Sequence, residues 1–345
     1  MAVTLKEIAE DLGLSAVTVS KVLRNHQDIS MKTRDLVLAK VKQMGYRPNL
    51  IARSLVTGRS CLVGLLVPDL IHPFFAEVAR ALAATLRQHG LYLVICSSEG
   101  DQELERNQVE HLLSRHLDAI VIASVGGDEQ VLQDVVQSGT PLILIDRKVK
   151  IPKTHFVGSN DILVGTLATE HLIAMGCKRI AHLRGPGNSV GDKRLQGYKQ
   201  VLSKAGIPFL QELVSPTSTG DVHSKTQAAE YTRKLLLSSP RPDGLFCHSD
   251  PMAIGAMETA LDMKIKIPQE LAIIGCGNLH YDESLSIPLS SIDQRSARIG
   301  ERAARIIIQQ VVRGKYDLEP SAESQTFANI QLKPEVVVRA SSRCR

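Results

Sequence analysis

The sequence predicts a small all-α helix-turn-helix domain followed by an α/β core of two doubly wound parallel-sheet lobes. Residues 4–23 have the pattern of two short helices separated by one glycine. From residue 62 onward, unbroken apolar runs of strand length alternate with amphipathic helical stretches. At 345 residues the chain is also too long for one small core.

The first helix pair begins with a capping box, because Thr4 and Glu7 have the spacing at which each side chain satisfies a free backbone N–H. Gly13 can adopt the left-handed conformation that ends a helix, and Ser15 is an N-cap for the next one. In a helix-turn-helix the second helix lies in the DNA major groove. A helical hairpin with only a structural role has the same pattern, so this segment alone does not distinguish a DNA-binding motif from a structural one.

The distribution of charge favours a polyanionic partner for this segment. Residues 1–60 hold ten Lys and Arg against five Asp and Glu, an excess of five. The whole chain has the same excess, 41 against 36, so the remaining residues are balanced at 31 of each. All net positive charge therefore belongs to the segment that carries the helix pair.

A third helix is predicted over 31–44, with Ser30 as its N-cap and Gly45 after its end. A turn at 46–49 then leads to a short helix at 49–56, and 57–60 form a joint. Eight residues are marginal for a helix in water, so this one is expected to fold only against a partner.

Beyond the joint, nine strands and eight helices are predicted. The strands cover 62–68, 91–97, 119–124, 141–146, 155–158, 179–185, 244–249, 271–276 and 290–293, and the helices 74–89, 104–115, 130–137, 164–175, 193–205, 225–238, 251–263 and 295–313. So many units could close one barrel or form two lobes. Two lobes are favoured because the units fall into two blocks near residue 161, and ligands of such sheets bind at the carboxyl ends of the strands.

Composition excludes several classes of protein. No apolar run approaches the ~20 residues of a membrane span, and the N-terminus has no basic and apolar signal sequence, so a cytoplasmic protein without a membrane partner is expected. The six cysteines are scattered without a C-x-x-C pair, which supports neither a disulfide framework nor a metal site. No cofactor is predicted.

One motif offers an enzymatic alternative. Residues 187–191 spell G-x-S-x-G around Ser189, the string of the hydrolase nucleophile elbow, and Asp250 and His280 follow in the Ser–Asp–His order. A hydrolase or ligand-binding enzyme with an accessory DNA-binding module is therefore the second hypothesis. It is disfavoured because Pro186 and the glycines indicate a longer loop than the elbow allows, so no catalytic residue is predicted.

Several motifs recur together in a fixed order. The N-terminal part contains V-T-L-x-x-I-A (3–9), G-L-S-x-x-T-V-S-K-V-L (13–23) and Y-x-P-N-x-x-A-R-S-L (46–55). The core contains G-L-L-V-P-D (64–69), H-P-F-F-A (72–76), I-D-R (145–147), H-L (171–172) with Gly176, R-L-x-G-Y (194–198), S-D-x-M-A-x-G-A (249–256) and I-x-Q (292–294). Together these resemble the lactose/galactose repressor (LacI/GalR-type) family of bacterial transcription regulators over residues 3–340.

The resemblance implies a periplasmic-binding-protein-like core and a regulator, expected to be a repressor, whose affinity for double-stranded operator DNA is controlled by a small-molecule effector. A homodimer is expected, since the C-terminus lacks the leucine-heptad helix of the tetrameric members. The implied domains are a DNA-binding domain at 1–48, a hinge helix and linker at 49–60 and a core at 61–340. The N-lobe of that core would comprise 61–161 and 295–323, and the C-lobe 162–294 and 324–340.

The resemblance also assigns candidate DNA contacts. Base contacts are expected from the second helix, where a lysine can donate to guanine and an aliphatic side chain can contact a thymine methyl. Short hydroxyl residues suit phosphate contacts, and the hinge leucine is expected to wedge between base steps in the minor groove. The candidates are Ala16, Val17 and Lys21 for bases, Thr4, Ser15, Thr18, Ser20, Ser30 and Thr33 for phosphates, and Ala52, Arg53 and Leu55 for the minor groove.

Ten residues are candidates for the effector site by the same resemblance. They are Asp69, His72, Phe74, Phe75, Ser124, Asp146, Arg194, Asp250, Gly277 and Gln294. Arginine suits a forked contact to ligand oxygens, and Asp250 has an alternative role as the cap of the helix that follows it. Gly277 stands where the family often has an aspartate, and His72 replaces a common asparagine, so the effector is expected to be sugar-like or nucleoside-like without being a typical hexose.

Overall fold

The computed structural model describes residues 3–23, 26–46, 54, 58–126, 129–217, 224–313 and 327–343. The chain divides into two compact units, Met1–Ser60 and Cys61–Arg345, which are called the head and the core below. The structure confirms the predicted fold class of a small helical domain followed by an α/β core.

The head contains α1 (Leu5–Leu12), α2 (Ala16–Leu23) and α3 (Met31–Gln43). The predicted capping box is present, because Thr4 and Glu7 each accept a hydrogen bond from the other's backbone N–H. Gly13 has a φ of 61°, which lets the chain turn sharply between α1 and α2. The small core of the head is formed by Ile8, Ala9, Val19, Val22 and Val37.

The core contains eleven strands and eight α-helices among the described residues. The strands are β1 (Leu62–Val67), β2 (Tyr92–Ser97), β3 (Ala119–Ile122), β4 (Leu142–Ile145), β5 (His155–Ser159), β6 (Ile180–Leu183), β7 (Gly244–Cys247), β8 (Ala272–Cys276), β9 (Ser290–Asp293), β10 (Asn329–Leu332) and β11 (Glu335–Val337). The helices are α4 (Pro73–Arg87), α5 (Gln102–Ser114), α6 (Glu129–Gln137), α7 (Asp161–Ala174), α8 (Ser189–Lys204), α9 (Ser224–Leu237), α10 (Asp250–Asp262) and α11 (Ser296–Arg313).

The first lobe is built on a parallel sheet of order β10-β5-β4-β3-β1-β2. Its topological switch point lies between β1 and β3, where connections leave to opposite sides. One face packs against α4 and α11 around Val63, Leu65 and Val78, and the other packs against α5 and α6 around Leu112 and Leu132. Burial of both faces explains why these strands are continuous apolar runs.

The second lobe repeats this arrangement. Its sheet has the order β11-β9-β8-β7-β6, parallel except for β11. A parallel bridge between His182 and Val214 adds a rudimentary strand outside β6, so the second switch point lies between β6 and β7. A ligand site is expected where the carboxyl ends of strands at both switch points meet.

The chain passes between the lobes three times: from β5 to α7, from β9 to α11 and from β10 to β11. The prediction that placed residues 324–340 in the C-lobe is wrong for β10, because Asn329–Leu332 pairs with β5 in the first sheet. Only from Glu335 does the chain join the second sheet, where β11 pairs with β9. Strands of three and four residues carry too little pattern to reveal their sheet.

Helices α7 and α8 cross at backbone contact. A Cβ on Gly165 would lie 2.0 Å from the carbonyl oxygen of Arg194, and a Cβ on Gly197 would lie 2.1 Å from that of Ile162. Glycine is therefore required at both positions for the helices to approach so closely. This crossing places the start of α7 beside the first turns of α8, where the candidate effector residues lie.

Candidate functional site: the exposed face of the head and the interlobe cavity

Two of the three base-contact candidates on α2 point to solvent. Ala16 is exposed, and Val17 is 63% exposed although valine is apolar. Lys21 is half-buried, and its Nζ lies 2.6 Å from Oδ2 of Asp28. The hydrogen bond from this lysine, reinforced by its charge, lowers the pKa of Asp28. An exposed aliphatic residue and a lysine one helical turn apart form a surface that can read base edges.

The phosphate-contact candidates lie mainly at helix starts. Ser15 accepts a hydrogen bond from the backbone N–H of Thr18, and Ser30 accepts one from that of Thr33, so both serines are N-caps. In each pair the two hydroxyl oxygens are 2.9 Å apart. Thr4 caps α1 in the same way, whereas Ser20 is half-buried within α2. Ala52, Arg53 and Leu55 lie outside the described residues.

A cavity lies between the lobes at the carboxyl ends of the strands. It is lined by His72, Phe74, Phe75, Asp146, Arg147, Asn188, Val190, Arg194, His248, Ser249 and Gln294. Six of these are among the ten effector candidates. The cavity measures about 30 Å³, enough for roughly one water molecule, whereas pockets for small organic ligands span ~300 Å³ or more. Effector binding therefore requires the walls to move apart.

Arg194 is the centre of the cavity's polar network. It is only 3% exposed. Its guanidinium donates to Asp161 Oδ1 at 3.1 Å, to the backbone oxygen of His248 at 2.6 Å and to the side-chain oxygen of Gln294. Burial raises the pKa of Asp161 to about 7, although the charge of Arg194 acts in the opposite direction. The arginine thus joins α8 to α7, to the end of β7 and to the segment after β9.

The aromatic wall comes from the start of α4. His72 caps this helix, its Nδ1 accepting from the N–H of Phe74 at 3.3 Å. The rings of Phe74 and Phe75 meet edge to face with centroids 5.1 Å apart. Both phenylalanines are buried in the first lobe's core as well as lining the cavity.

The other four effector candidates do not line the cavity. Asp69 accepts from the N–H of Ile71 at 2.7 Å, which closes a local turn. Ser124 donates to the buried Glu105 at 2.6 Å. Both side chains therefore stabilise the loops that follow β1 and β3.

The side chain of Asp250 lies directly against Gly277. Asp250 is the first residue of α10, but its carboxylate turns away to accept from Ser291 Oγ at 2.6 Å and from the N–H of Leu279 at 3.3 Å. Burial, reinforced by the charge of Asp282, raises the pKa of Asp250 well above its usual value. A Cβ on Gly277 would lie 2.6 Å from Oδ2 of this carboxylate, so Asp250 occupies the space that an aspartate at 277 would need.

Five lining residues were missed from the sequence: Arg147, Asn188, Val190, His248 and Ser249. Three of them follow β4 or β7 within two residues, and the other two flank the start of α8. Their position at the carboxyl ends of predicted strands is the sequence signal that could have identified the first three as lining residues. His248 is 8% exposed, and none of the described residues forms a hydrogen bond with its Nδ1.

A second buried histidine lies behind the cavity. The ring of His182 stacks on Phe246 with centroids 4.4 Å apart, and its Nδ1 lies 3.1 Å from the backbone oxygen of that residue. Burial lowers the pKa of His182 to about 4. In the unfolded chain, His182 therefore binds a proton as the pH falls below about 6.5, whereas in the folded chain it binds this proton only near pH 4.

This histidine predicts a pH-dependent loss of stability. Its contribution is present above pH 6.5 and is lost as the pH falls towards 4, which corresponds to about 2 kcal/mol between pH 7 and pH 5. His182→Gln is expected to lack that part of the acid destabilisation, and His280→Gln, at an exposed position, serves as the control. Urea unfolding at both pH values measures the difference, and parallel profiles of wild type and His182→Gln would contradict the prediction.

The G-x-S-x-G string does not form a nucleophile elbow. Ser189 is the first residue of α8 and follows β6 only after a five-residue loop, and its Oγ accepts from the backbone N–H of Lys148 at 2.9 Å. Asp250 is engaged by Ser291 and Leu279. The elbow requires a sharp strand-to-helix turn, which this longer loop does not provide.

Within the described residues, none of the helices has the length and apolar character to cross a membrane. Those residues also contain no cluster of three or more His, Cys, Asp or Glu side chains that could hold a metal ion.

Comparison with known proteins identifies the chain. Residues 4–49 match the family described as bacterial regulatory proteins, lacI family, and residues 60–333 match the periplasmic binding proteins and sugar binding domain of the LacI family.

The ribose operon repressor of Halalkalibacterium halodurans is 32% identical, covering 91% of this chain and 92% of that protein. The repressor PurR of Mannheimia succiniciproducens is 29% identical, covering 98% of each. The structure of a complex of the transcriptional regulator CelR with cellobiose superposes with a TM-score of 0.72 at 26% identity, covering 98% of this chain and 99% of that one. The chain therefore belongs to the LacI family of bacterial regulatory proteins, as a DNA-binding transcription regulator with an effector-binding core and not an enzyme.

Proposed function

We propose that this chain is a cytoplasmic, homodimeric repressor whose affinity for a pseudo-palindromic operator is set by a small-molecule effector bound in the interlobe cavity. One observation carries the proposal: the cavity is walled by side chains from both lobes and centred on Arg194, so occupancy must change how the lobes meet. A ligand that favours one arrangement of the lobes changes the affinity at a second site by the corresponding coupling free energy.

Operator recognition is assigned to α2 in the major groove. Ala16, Val17 and Lys21 would face base edges, and the hydroxyl residues at the helix starts would hold phosphates and so fix the register. Ala52, Arg53 and Leu55 are proposed to enter the minor groove between two heads and to bend the duplex. The excess of positive charge in residues 1–60 supplies affinity that does not depend on sequence.

Lys21 provides a direct test of base recognition. Lys21→Ala is expected to weaken operator binding by roughly 1–3 kcal/mol and to relax the preference at one base pair of each half-site. Lys6→Ala is the control, because this exposed lysine pairs with Glu10 on α1. Gel-shift titrations on operator and scrambled DNA separate the two effects. An equal loss on both DNAs would make Lys21 a phosphate contact instead.

A homodimer is supported by an apolar surface on the first lobe. Leu70, Ile71, Tyr92 and Ile95 are exposed there, Ile71 by 85%. Leu70 and Ile95 border a groove of about 360 Å³ along α4. Exposed apolar residues in one patch mark an interaction surface, and a two-fold partner would bring two heads to two half-sites.

The effector is proposed to be sugar-like or nucleoside-like. The aromatic wall can cover an apolar ring face, and Arg194, Asp146 and Gln294 can bond to ring oxygens or hydroxyl groups. One relative is named for a ribose operon, and the related CelR structure contains cellobiose, which supports the sugar-like class.

The proposed function is tested with DNA first and ligand second. Selection from random duplexes is expected to enrich a pseudo-palindrome bound by the dimer with strong salt dependence. Sugars, sugar phosphates and nucleosides are then screened for a rise in melting temperature, since a ligand of the folded state stabilises it. A true effector must also change operator affinity. Enrichment of no sequence at all would refute the proposal.

A further inference from the structure

The side chains lining the cavity are rich in hydrogen-bond donors. The side-chain oxygen of Asn188 accepts from Val190 and Gly191, and that of Gln294 accepts from Arg194. Both amides therefore have their NH₂ groups left to offer a ligand. His72 uses Nδ1 as an acceptor, so its neutral ring carries the proton on Nε2 and is a donor there.

Acceptors and negative charge are scarce by comparison. Asp146 is the one carboxylate among the described residues that line the cavity, against the guanidinium groups of Arg147 and Arg194. Position 277 carries no side chain, and the Asp250 carboxyl is turned away to Ser291 and Leu279. A neutral polyol needs acceptors for its hydroxyl protons as well as donors, and this wall supplies mostly donors.

The starts of three helices add positive potential. His72, Asn188 and Ser249 are the N-caps of α4, α8 and α10, and each of these residues lines the cavity. The three helices have 13 residues or more. Among the described residues, the side chain of Ser249 makes no capping hydrogen bond to α10. Helix N-termini attract anions through their free N–H groups and their dipoles.

His248 is the independent observation that points to a ligand group. It is more than nine-tenths buried in the cavity wall, and none of the described residues bonds to its Nδ1. Its ring packs against Gly185, where a Cβ would lie 2.3 Å away, so it has little freedom to turn elsewhere. A buried unpartnered ring nitrogen is costly unless a bound group satisfies it.

We infer that the effector carries an anionic oxygen group, a carboxylate or a phosphate, which binds at the end of the cavity formed by His248, Arg194 and the start of α10. The inference rests on the proposed function, since it specifies the ligand of that same site. The pKa of His248 agrees with it: burial lowers that pKa well below its usual value, and the charges of Arg194 and Arg147 lower it further. The guanidinium groups of Arg194 and Arg147 are thus positively charged neighbours of the ring, and they favour an anion bound beside it.

Pairs of probes that differ only in charge provide the test. The full-length chain is titrated with D-ribose and D-ribose 5-phosphate, D-galactose and D-galacturonate, adenosine and AMP, and inorganic phosphate alone, at constant ionic strength. In at least one pair the anionic member is expected to bind ten times more tightly than the neutral member. The phosphate and galacturonate arms distinguish the two anionic groups. Neutral members that bind as tightly throughout, or anionic members that do not bind, would overturn the inference.

A histidine variant separates the cavity from the basic head, which can also attract anions. His248→Gln is expected to reduce the anion preference at least tenfold, whereas His280→Gln, at an exposed position, leaves it unchanged. An anion preference that survives in a folded His248→Gln chain would refute this site. If operator binding responds only to a neutral sugar, the inference fails and the proposed function stands. If anions bind through His248 but no DNA sequence is preferred, the proposed function fails instead.

Discussion

Replacing Arg194 with methionine is expected to lower the free energy of unfolding of the core by about 3–5 kcal/mol, because the change leaves the Asp161 carboxyl buried without its cation. Both side chains are 3% exposed and 3.1 Å apart. Without the arginine the pKa of Asp161 should rise above its present value of about 7. The carboxyl must then be protonated at neutral pH, so the loss should be larger at pH 8 than at pH 5.

A double-mutant cycle isolates this pair. Asp161→Asn in the Arg194→Met background is expected to recover part of the lost stability, because a neutral amide can be buried without the proton uptake that the carboxyl requires at neutral pH and above. Urea unfolding followed by circular dichroism measures all four chains. Additive losses would show that the two residues do not stabilise one another. The Arg194→Met protein should also lose its response to effector while its head still binds DNA.

The second large effect is expected at the crossing of α7 and α8. Gly197→Ala would place a methyl group 2.1 Å from the carbonyl oxygen of Ile162 and 2.8 Å from the amide nitrogen of Thr166. Both are backbone atoms that cannot rotate away, so the helices must separate. Overpacking of this kind costs about 3 kcal/mol or more.

The matched control is Gly187→Ala, whose Cβ would meet only Thr217 at 3.4 Å. We expect calorimetry to show little change in its melting temperature and a drop of several degrees or failure to fold for Gly197→Ala. Since Arg194 lies one turn before Gly197 on α8, separation of the helices should also weaken effector binding. A Gly197→Ala protein of normal stability would mean that the two helices can slide past one another.

Much of the fold was predictable because its signals are local. Unbroken apolar runs located nine strands of the core, and cap residues located the helices of the head. The sequence pattern predicts the start of α7 three residues late, because the cap is Asn160, which accepts from the N–H of Leu163 and precedes the apolar pattern. The lobe of β10 and the bridge at Val214 depend on pairing partners far along the chain, which no local pattern specifies.

The candidate site was predictable only in part for a similar reason. Strand ends and family motifs pointed to His72, Asp146 and Arg194, and the structure brings these residues to one cavity. Sequence does not reveal which polar side chains are already engaged locally, as Asp69 is by its own turn. It also does not reveal that Arg194 is bonded to partners 33 and 100 positions away.

The three passages between the lobes have a mechanical consequence. Each is one or two residues long, at 160, 294–295 and 333–334, and three short tethers side by side resist twisting and sliding while they permit rotation about one axis. Asp161 is the first residue after the first tether, and Gln294 lies within the second. The guanidinium of Arg194 donates hydrogen bonds to both residues, close to that axis. A ligand that shifts this side chain is therefore expected to cause a larger displacement at the far tips of the lobes than at the tethers.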